Sequence, residues 1–111
     1  MRDAVIVSTA RTPIGRAYKG AFNTTLGPTL GSYAAKAAAE RAGIDPARID
    51  DVVWGSALQQ GSQSTNLARQ VALRAGFPVE VPGMTLEESK APRLAYAVPI
   101  FAGTVVTVWL R

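Results

Sequence analysis

Cysteine and histidine are both absent from the 111 residues of this chain. Without cysteine, the chain can form no disulfide bond, no thiolate nucleophile and no cysteine-based metal site. Without histidine, it lacks the usual general base near neutral pH, so Ser-His and Cys-His catalysis are excluded as well. These two absences remove most covalent enzyme chemistries before any motif is considered.

Clustered positive charge is also missing. The chain has 12 Lys and Arg against 8 Asp and Glu, a net charge of +4, and its basic residues are scattered from Arg2 to Arg111. Since a nucleic-acid interface needs a concentrated basic patch, we expect no nucleic-acid partner. The opening apolar stretch is short and Arg11 soon follows it, so we expect no secretory signal and a cytoplasmic location.

The remaining composition, 48% hydrophobic and 18% charged, is typical of one small globular domain. Residues 4–8 form a continuous β-branched run, which predicts a strand buried on both faces of a parallel sheet. A glycine-containing loop follows over residues 12–28. Pro28 begins a predicted helix and Gly43 ends it. The predicted apolar face of this helix consists of Leu30, Tyr33, Ala34, Ala37 and Ala38.

The second half of the chain repeats this order of elements. Residues 49–55 predict a strand, and a polar stretch leads to a helix capped by Thr65 or Asn66. The buried face of that helix is predicted to be Leu67, Ala68, Val71, Ala72 and Ala75. Residues 79–85 predict a third strand, interrupted by Pro82 and Gly83. The order strand-helix-strand-helix-strand predicts an α/β fold with a parallel sheet.

An atypical apolar tail ends the chain. Residues 94–110 are 17 residues without a charge, and they include Pro99 and Gly103. This is shorter than the roughly 18 to 20 residues that a membrane-spanning helix needs. We therefore expect the tail to pack on another surface or to lack a native structure, and a small membrane-tethered protein is the weaker alternative.

No motif assigns a catalytic, cofactor-binding or metal-binding residue. Gly15 and Gly20 have the spacing of a phosphate-binding loop, but the Lys-Ser/Thr that must follow is absent. The carboxylate pairs at residues 50–51 and 87–88 are sequence neighbours, whose side chains diverge on a strand or a helix. Lys90 would need a desolvating pocket to act as a nucleophile. Core packing is expected for the aromatic side chains.

Four segments of the chain nevertheless occur together, in order and at the spacing of a known family. They are DAVIVSTARTPIGRAYKGAF, PTLGSYAAKAAAERAGIDPARIDDVVWGSALQQG, NLARQVALRAG and VPGMT. This combination resembles the amino-terminal part of a thiolase, an acetyl-CoA C-acyltransferase, in particular one of the 3-ketoacyl-CoA type. The resemblance extends from Met1 to about Thr85.

The resemblance implies an α/β fold of two similar halves, each with a mixed five-stranded sheet. This chain would then be an incomplete amino-terminal half-domain with three strands and two helices. Thiolases transfer acyl groups between CoA thioesters, with acyl-CoA and CoA as substrates and no cofactor, and they act in fatty acid metabolism as dimers or tetramers. Their nucleophile is a cysteine at a helix start just after the third strand, activated by a histidine from the second half.

The chain departs from the family pattern at that cysteine. Lys90 stands where the nucleophile is expected, and Pro92 and Arg93 replace the Ser-Gly that follows it. We therefore predict a partial thiolase domain at residues 1–85, a divergent tail at residues 86–111, and an inactive fragment. The alternative is a non-catalytic module that pairs with a full-length thiolase. Unless the tail supplies a replacement strand or helix, uncovered sheet edges predict a marginally stable chain.

The tail also suggests a cause for this departure. Cys-Ser-Ser-Gly can be encoded TGC TCC TCG G, and removal of the first base gives GCT CCT CGG, which encodes Ala-Pro-Arg. Residues 91–93 are Ala-Pro-Arg. A reading-frame slip near codon 90 is therefore our hypothesis for residues 86–111.

Overall fold

The computed structural model describes residues 3–87 and, as a short strand, the backbone of residues 107–110. Within these residues there are two α-helices, three strands and two short 3-10 turns. In chain order they are α1 (Gly27–Ala42), a 3-10 turn (Pro46–Arg48), β1 (Ile49–Ser56), a second 3-10 turn (Gly61–Gln63), α2 (Leu67–Arg74), β2 (Gly83–Glu87) and β3 (Thr107–Leu110).

Strand β1 lies in the middle of a three-stranded sheet whose order is β2-β1-β3. Residues 52–56 of β1 pair in parallel with residues 83–87 of β2, which confirms the parallel pair predicted for an α/β fold. Strand β3 pairs antiparallel with the other edge, where Ile49 lies opposite Leu110. The sheet is therefore mixed. Part of the tail, Thr107–Leu110, therefore forms a strand, and the stability of the chain stays a prediction.

The strand predicted at residues 4–8 does not form. Residues 3–26 contain no helix or strand, and the side chains of Val5, Ile6 and Val7 are 74%, 80% and 56% exposed. The β-branched composition favours a strand, but a strand also needs an edge with which to pair. Among the described residues the sheet has the order β2-β1-β3, and residues 4–8 pair with none of its strands.

Helix α1 has the predicted ends, and its predicted buried face is confirmed only in part, at Ala34 and Ala38. Pro28 lies in its first turn, and Gly43 closes it in the left-handed conformation at φ 65°. The buried side is Pro28, Gly31, Ser32, Ala34, Ala35, Ala38 and Ala39. Tyr33, predicted to be buried, is 65% exposed. A Cβ at Gly31 would lie 2.8 Å from Val71 and 2.9 Å from the Trp54 ring, so the helix presents its smallest residues at this close approach.

The core lies between α2, β1 and the segment that leads into β2. Val52 and Val71 are fully buried there, and the predicted core positions of Trp54 and Phe77 are confirmed. The same prediction is wrong for Tyr18, which is 95% exposed in the loop before α1. The side chains of Tyr96, Phe101 and Trp109 lie outside the described residues.

The third predicted strand is displaced toward the carboxyl end of the chain. Residues 79–80 form a turn in which the Val81 amide donates to the carbonyl of Pro78 at 3.1 Å, and β2 begins only at Gly83. The displacement follows from Pro82, which has no amide proton to donate to a ladder. Among the described residues, no helix has the length and apolar character needed to cross a membrane.

Candidate functional site

The carboxyl ends of two parallel strands meet at one edge of the sheet. Gly55 of β1 lies opposite Leu86 of β2, and Ser56 lies opposite Glu87. In open α/β sheets, ligand sites form outside the carboxyl ends of parallel strands. We call residues 54–56 and 85–87 the strand-end region, and it is the candidate site of this chain.

Ser56 fixes the loop that leaves the strand-end region. Its hydroxyl oxygen is buried and lies 3.2 Å from the carbonyl oxygen of Leu58 and 3.1 Å from Oε1 of Gln63. Gln63 in turn packs beside the start of α1, where a Cβ at Gly27 would lie 3.0 Å from its side chain. Both neighbours of the Ser56 hydroxyl are acceptor oxygens, so the hydroxyl proton can be donated to either, and Ser56 holds the loop.

A network of hydrogen bonds joins the start of α2 to β2. Oδ1 of Asn66 accepts from the Arg69 amide at 3.3 Å and from the Thr85 hydroxyl at 2.9 Å. The Nδ2 group of Asn66 donates to the carbonyl of Gly83 at 2.8 Å. The Thr85 hydroxyl accepts from the Ala68 amide at 2.9 Å. Of the two predicted caps, Asn66 is therefore the one that closes the helix.

Close backbone packing keeps α2 on β2. A Cβ at Gly83 would lie 2.7 Å from the Arg69 nitrogen and 2.9 Å from the Ala68 carbonyl carbon, so only glycine fits at this position. The guanidinium group of Arg69 also donates to the carbonyls of Val79 and Val81. Sequence reasoning missed this role of Arg69, because nothing in a helical pattern reveals which carbonyls an arginine will reach.

The motifs considered in the sequence do not converge on the strand-end region. The loop that contains Gly15 folds on itself, since a Cβ there would lie 2.7 Å from the Phe22 ring. Asp51 has one buried carboxylate oxygen without a hydrogen-bond partner among the described residues. Within that part of the chain, no three Asp or Glu side chains are grouped as metal ligands. Lys90 and the second member of the 87–88 pair lie outside the described residues.

The fold and the strand-end region define an α/β domain whose second helix is fixed on a parallel strand pair. The family model of the thiolase N-terminal domain matches residues 4–92 of this chain. The chain belongs to the thiolase family.

Curated relatives agree with this assignment. A 3-ketoacyl-CoA thiolase of Saccharophagus degradans is 43% identical over 86 residues, which are 77% of this chain and 22% of the relative. An acetyl-CoA acetyltransferase of Cupriavidus necator is 44% identical over 88 residues, 79% of this chain and 22% of the relative. An acetyl-CoA acetyltransferase of Clostridioides difficile is 48% identical over 86 residues, 78% of each chain.

The extent of these matches bears on two features of the chain. The chain spans about a fifth of the length of the first two relatives. The family match begins at residue 4, so the exposed segment 4–8 belongs to the matched domain. It also continues to residue 92, beyond the predicted limit near Thr85 and across Lys90.

Proposed function

We propose that this chain carries the amino-terminal scaffold of a thiolase-type acyltransferase, which transfers acyl groups between CoA thioesters. We propose further that the chain does not catalyse this reaction by itself. The first statement is supported by membership in the thiolase family over residues 4–92 and by the names of relatives that match most of the chain. A cytoplasmic location stays a prediction.

The proposal that the chain does not catalyse the reaction by itself is supported by its lack of cysteine and histidine. Thioester transfer by covalent catalysis requires a thiolate that attacks the acyl carbon and a base that takes the thiol proton. Strand β2 ends at Glu87, and Lys90 stands three residues later, where the family pattern has its nucleophile. An amine at this position would form a stable amide with an acyl group, and the amide would not release that group to CoA.

The experiment is a thiolysis assay with the purified chain, acetoacetyl-CoA and free CoA. We expect no release of acetyl-CoA above the buffer rate, and no acetyl adduct on the chain in intact-mass spectrometry. A full-length thiolase under the same conditions is the positive control. Turnover that follows the concentration of the chain would overturn the proposal of inactivity.

The Lys90→Cys variant tests the effect of the missing thiol apart from the effect of the missing histidine. It restores a thiol but no histidine, so we expect slow acetylation without sustained turnover. Lys90→Ala is the matched control, because it removes the amine without adding a nucleophile. Steady turnover by Lys90→Cys would mean that the nucleophile alone was lacking.

Exposed apolar side chains favour a second candidate function, a non-catalytic module that pairs with a full-length thiolase. Ile6, Ile14 and Tyr18 are all exposed in the segment before α1. Because exposed apolar side chains lose contact with water when a partner covers them, a partner surface would stabilise the segment. Co-elution of the chain with a full-length thiolase in size-exclusion chromatography tests this function, and separate elution at all mixing ratios would contradict it.

The origin of residues 86–111 is tested at the level of the gene. We propose that they are a divergent tail produced by a reading-frame slip. Sequencing of the coding DNA beyond codon 80 should then reveal a shifted frame that encodes Cys-Ser-Ser-Gly and, later, histidines. If no such frame exists, the tail is a genuine part of the product and the pairing function becomes the stronger candidate.

A further inference from the structure

The loop before α1 presents apolar and cationic side chains together to solvent. We call residues 11–19 the Tyr18 loop. Ile14 is 84% exposed in this loop, and Tyr18 is almost fully exposed. Arg11, Arg16 and Lys19 are exposed in the same nine residues. Packing does not explain an exposed aromatic ring between two cations, so this loop is a candidate contact surface.

The backbone holds Tyr18 at the centre of a tight turn. The Lys19 amide donates to the carbonyl of Ala17 at 2.8 Å, and Tyr18 lies in the left-handed region at φ 64°. A Cβ at Gly20 would lie 2.6 Å from the Arg16 nitrogen, so only glycine allows the chain to fold back here. This conformation is unfavourable for a large side chain and persists only where the surrounding backbone fixes it. The turn therefore keeps Tyr18 outside the core.

Charge is distributed unevenly between this loop and the rest of the chain. Residues 4–39 contain four basic side chains and no acidic one, whereas residues 40–87 contain more acidic than basic side chains. Lys36 of α1 is paired with Glu40 at 3.9 Å. The three cations of the Tyr18 loop form no ion pair with any residue that the structure describes. An anionic surface is therefore attracted by the loop and repelled by the acidic part of the chain.

We propose that the Tyr18 loop binds the surface of an anionic lipid bilayer, with Ile14 and Tyr18 in the headgroup layer and the three cations beside the lipid phosphates. Tyrosine is favoured at this depth because its ring is apolar and its hydroxyl can stay in water. Arginine and lysine keep their charged groups among the headgroups while their stems lie along apolar surface. This inference goes beyond the proposed function and does not rest on it.

A bilayer fits this loop better than the acidic face of a protein does. A protein partner has to offer a pocket shaped for Ile14 and Tyr18, whereas a bilayer takes up single exposed side chains without a preformed pocket. Each Lys or Arg near an anionic bilayer strengthens binding about fivefold. Three cations and two inserted side chains therefore predict weak, reversible binding, which falls as salt screens the charges.

Vesicle sedimentation with the full chain tests the proposal. Vesicles of phosphatidylcholine and phosphatidylserine in equal amounts are compared with vesicles of phosphatidylcholine alone. We expect binding to the anionic vesicles at low salt, and binding to the neutral vesicles that is weaker by more than about tenfold. Equal binding to both, or binding to neither, would overturn the proposal. Binding to poly-glutamate without binding to vesicles would also overturn it and would indicate an acidic protein partner.

The combined variant Arg16→Gln with Lys19→Gln tests whether the loop makes the contact. Both side chains are exposed, so the fold should be kept, and the affinity for anionic vesicles should fall about 25-fold. Lys36→Gln is the matched control, because it removes a cation that is already paired on α1, and it should change the affinity less than about twofold. Unchanged affinity in the double variant would overturn the proposal. A fivefold loss in the control would do the same, because total charge would then decide the binding.

The position of Tyr18 in the bilayer is measured separately. In the Tyr18→Trp variant, lipids brominated in their acyl chains should quench more fluorescence than in the unchanged chain, whose tryptophans are at positions 54 and 109. Tyr33→Trp, at an exposed position on α1, is the control and should show no additional quenching. If vesicle-bound Tyr18→Trp shows no additional quenching either, the loop is not inserted and the proposal is wrong.

Discussion

One side chain, Asn66, sets the geometry at the start of α2. Its backbone lies in the left-handed region, at φ 58° and ψ 76°, which most residues adopt only at a cost of about 1 to 2 kcal/mol. Asn tolerates this conformation better than other side chains because its amide can bond locally. Its bonds to Arg69, Gly83 and Thr85 offset the remaining cost.

Two substitutions at Asn66 separate backbone strain from hydrogen bonding. Asn66→Ala loses the side-chain bonds and keeps a Cβ in the left-handed region, so we expect the free energy of unfolding to fall by about 2 kcal/mol. Asn66→Gly loses the same bonds but removes the strain, so its loss should be smaller. Urea denaturation measures both. Equal losses in the two variants would mean that backbone strain at Asn66 contributes nothing to stability. No loss in either variant would mean that the hydrogen bonds of Asn66 contribute nothing.

At the scale of elements, the side chain of Arg69 joins α2 to the turn before β2, in addition to the packing of α2 on β2. Arg69 lies within α2 and donates to Val79 and Val81, the two carbonyls of the turn that leads into β2. A planar guanidinium group can bond to two acceptors at once, which an ammonium group on a flexible stem does less well. The turn is therefore fixed relative to α2 before β2 begins.

We expect Arg69→Ala to lower the free energy of unfolding by about 1 to 3 kcal/mol, because it leaves the partly buried carbonyl of Val81 and the exposed carbonyl of Val79 without their donor. Arg69→Lys should recover only part of this loss. Arg74→Ala is the matched control from the same helix. Its guanidinium group donates to the exposed Thr29 hydroxyl at 2.7 Å, and its loss should change stability by less than about 1 kcal/mol. Equal effects of Arg69→Ala and Arg74→Ala would contradict the role of Arg69.

At the scale of the whole molecule, apolar surface is left uncovered before α1. The exposed side chains of Ile6, Ile14 and Tyr18 all come from residues 3–26, which contain no helix or strand. The chain spans 22% of the length of its first relatives. The exposed apolar side chains before α1 are the observation that favours pairing of this chain with a full-length thiolase.

The combined variant Ile6→Thr with Ile14→Thr tests whether this surface makes the contact. Both side chains are exposed, so we expect the free energy of unfolding to change by less than about 0.5 kcal/mol. Binding to a full-length thiolase should weaken about tenfold, because two apolar contacts are lost. Leu73→Thr, an exposed position on α2, is the control and should leave binding unchanged. Unchanged binding in the double variant would exclude this surface.

The sequence by itself determined the local features of the chain. Pro28 and Gly43 bound α1, Asn66 caps α2, and the apolar run around Val52 forms a strand, because each depends on residues close together in the sequence. The family followed from motifs at fixed spacing. The same short-range patterns predicted the α/β class and the parallel pair of β1 and β2.

Only the tertiary structure decided which segments pair and which faces are buried. Residues 4–8 are a strand by composition, yet they pair with none of the strands that the structure describes. The buried side of α1 depends on the close approach at Gly31, and the role of Arg69 depends on carbonyls ten and twelve residues away. Strand pairing and close helix packing join segments that are distant in the sequence. Which of these contacts form depends on competition between the segments, and no local pattern contains that information.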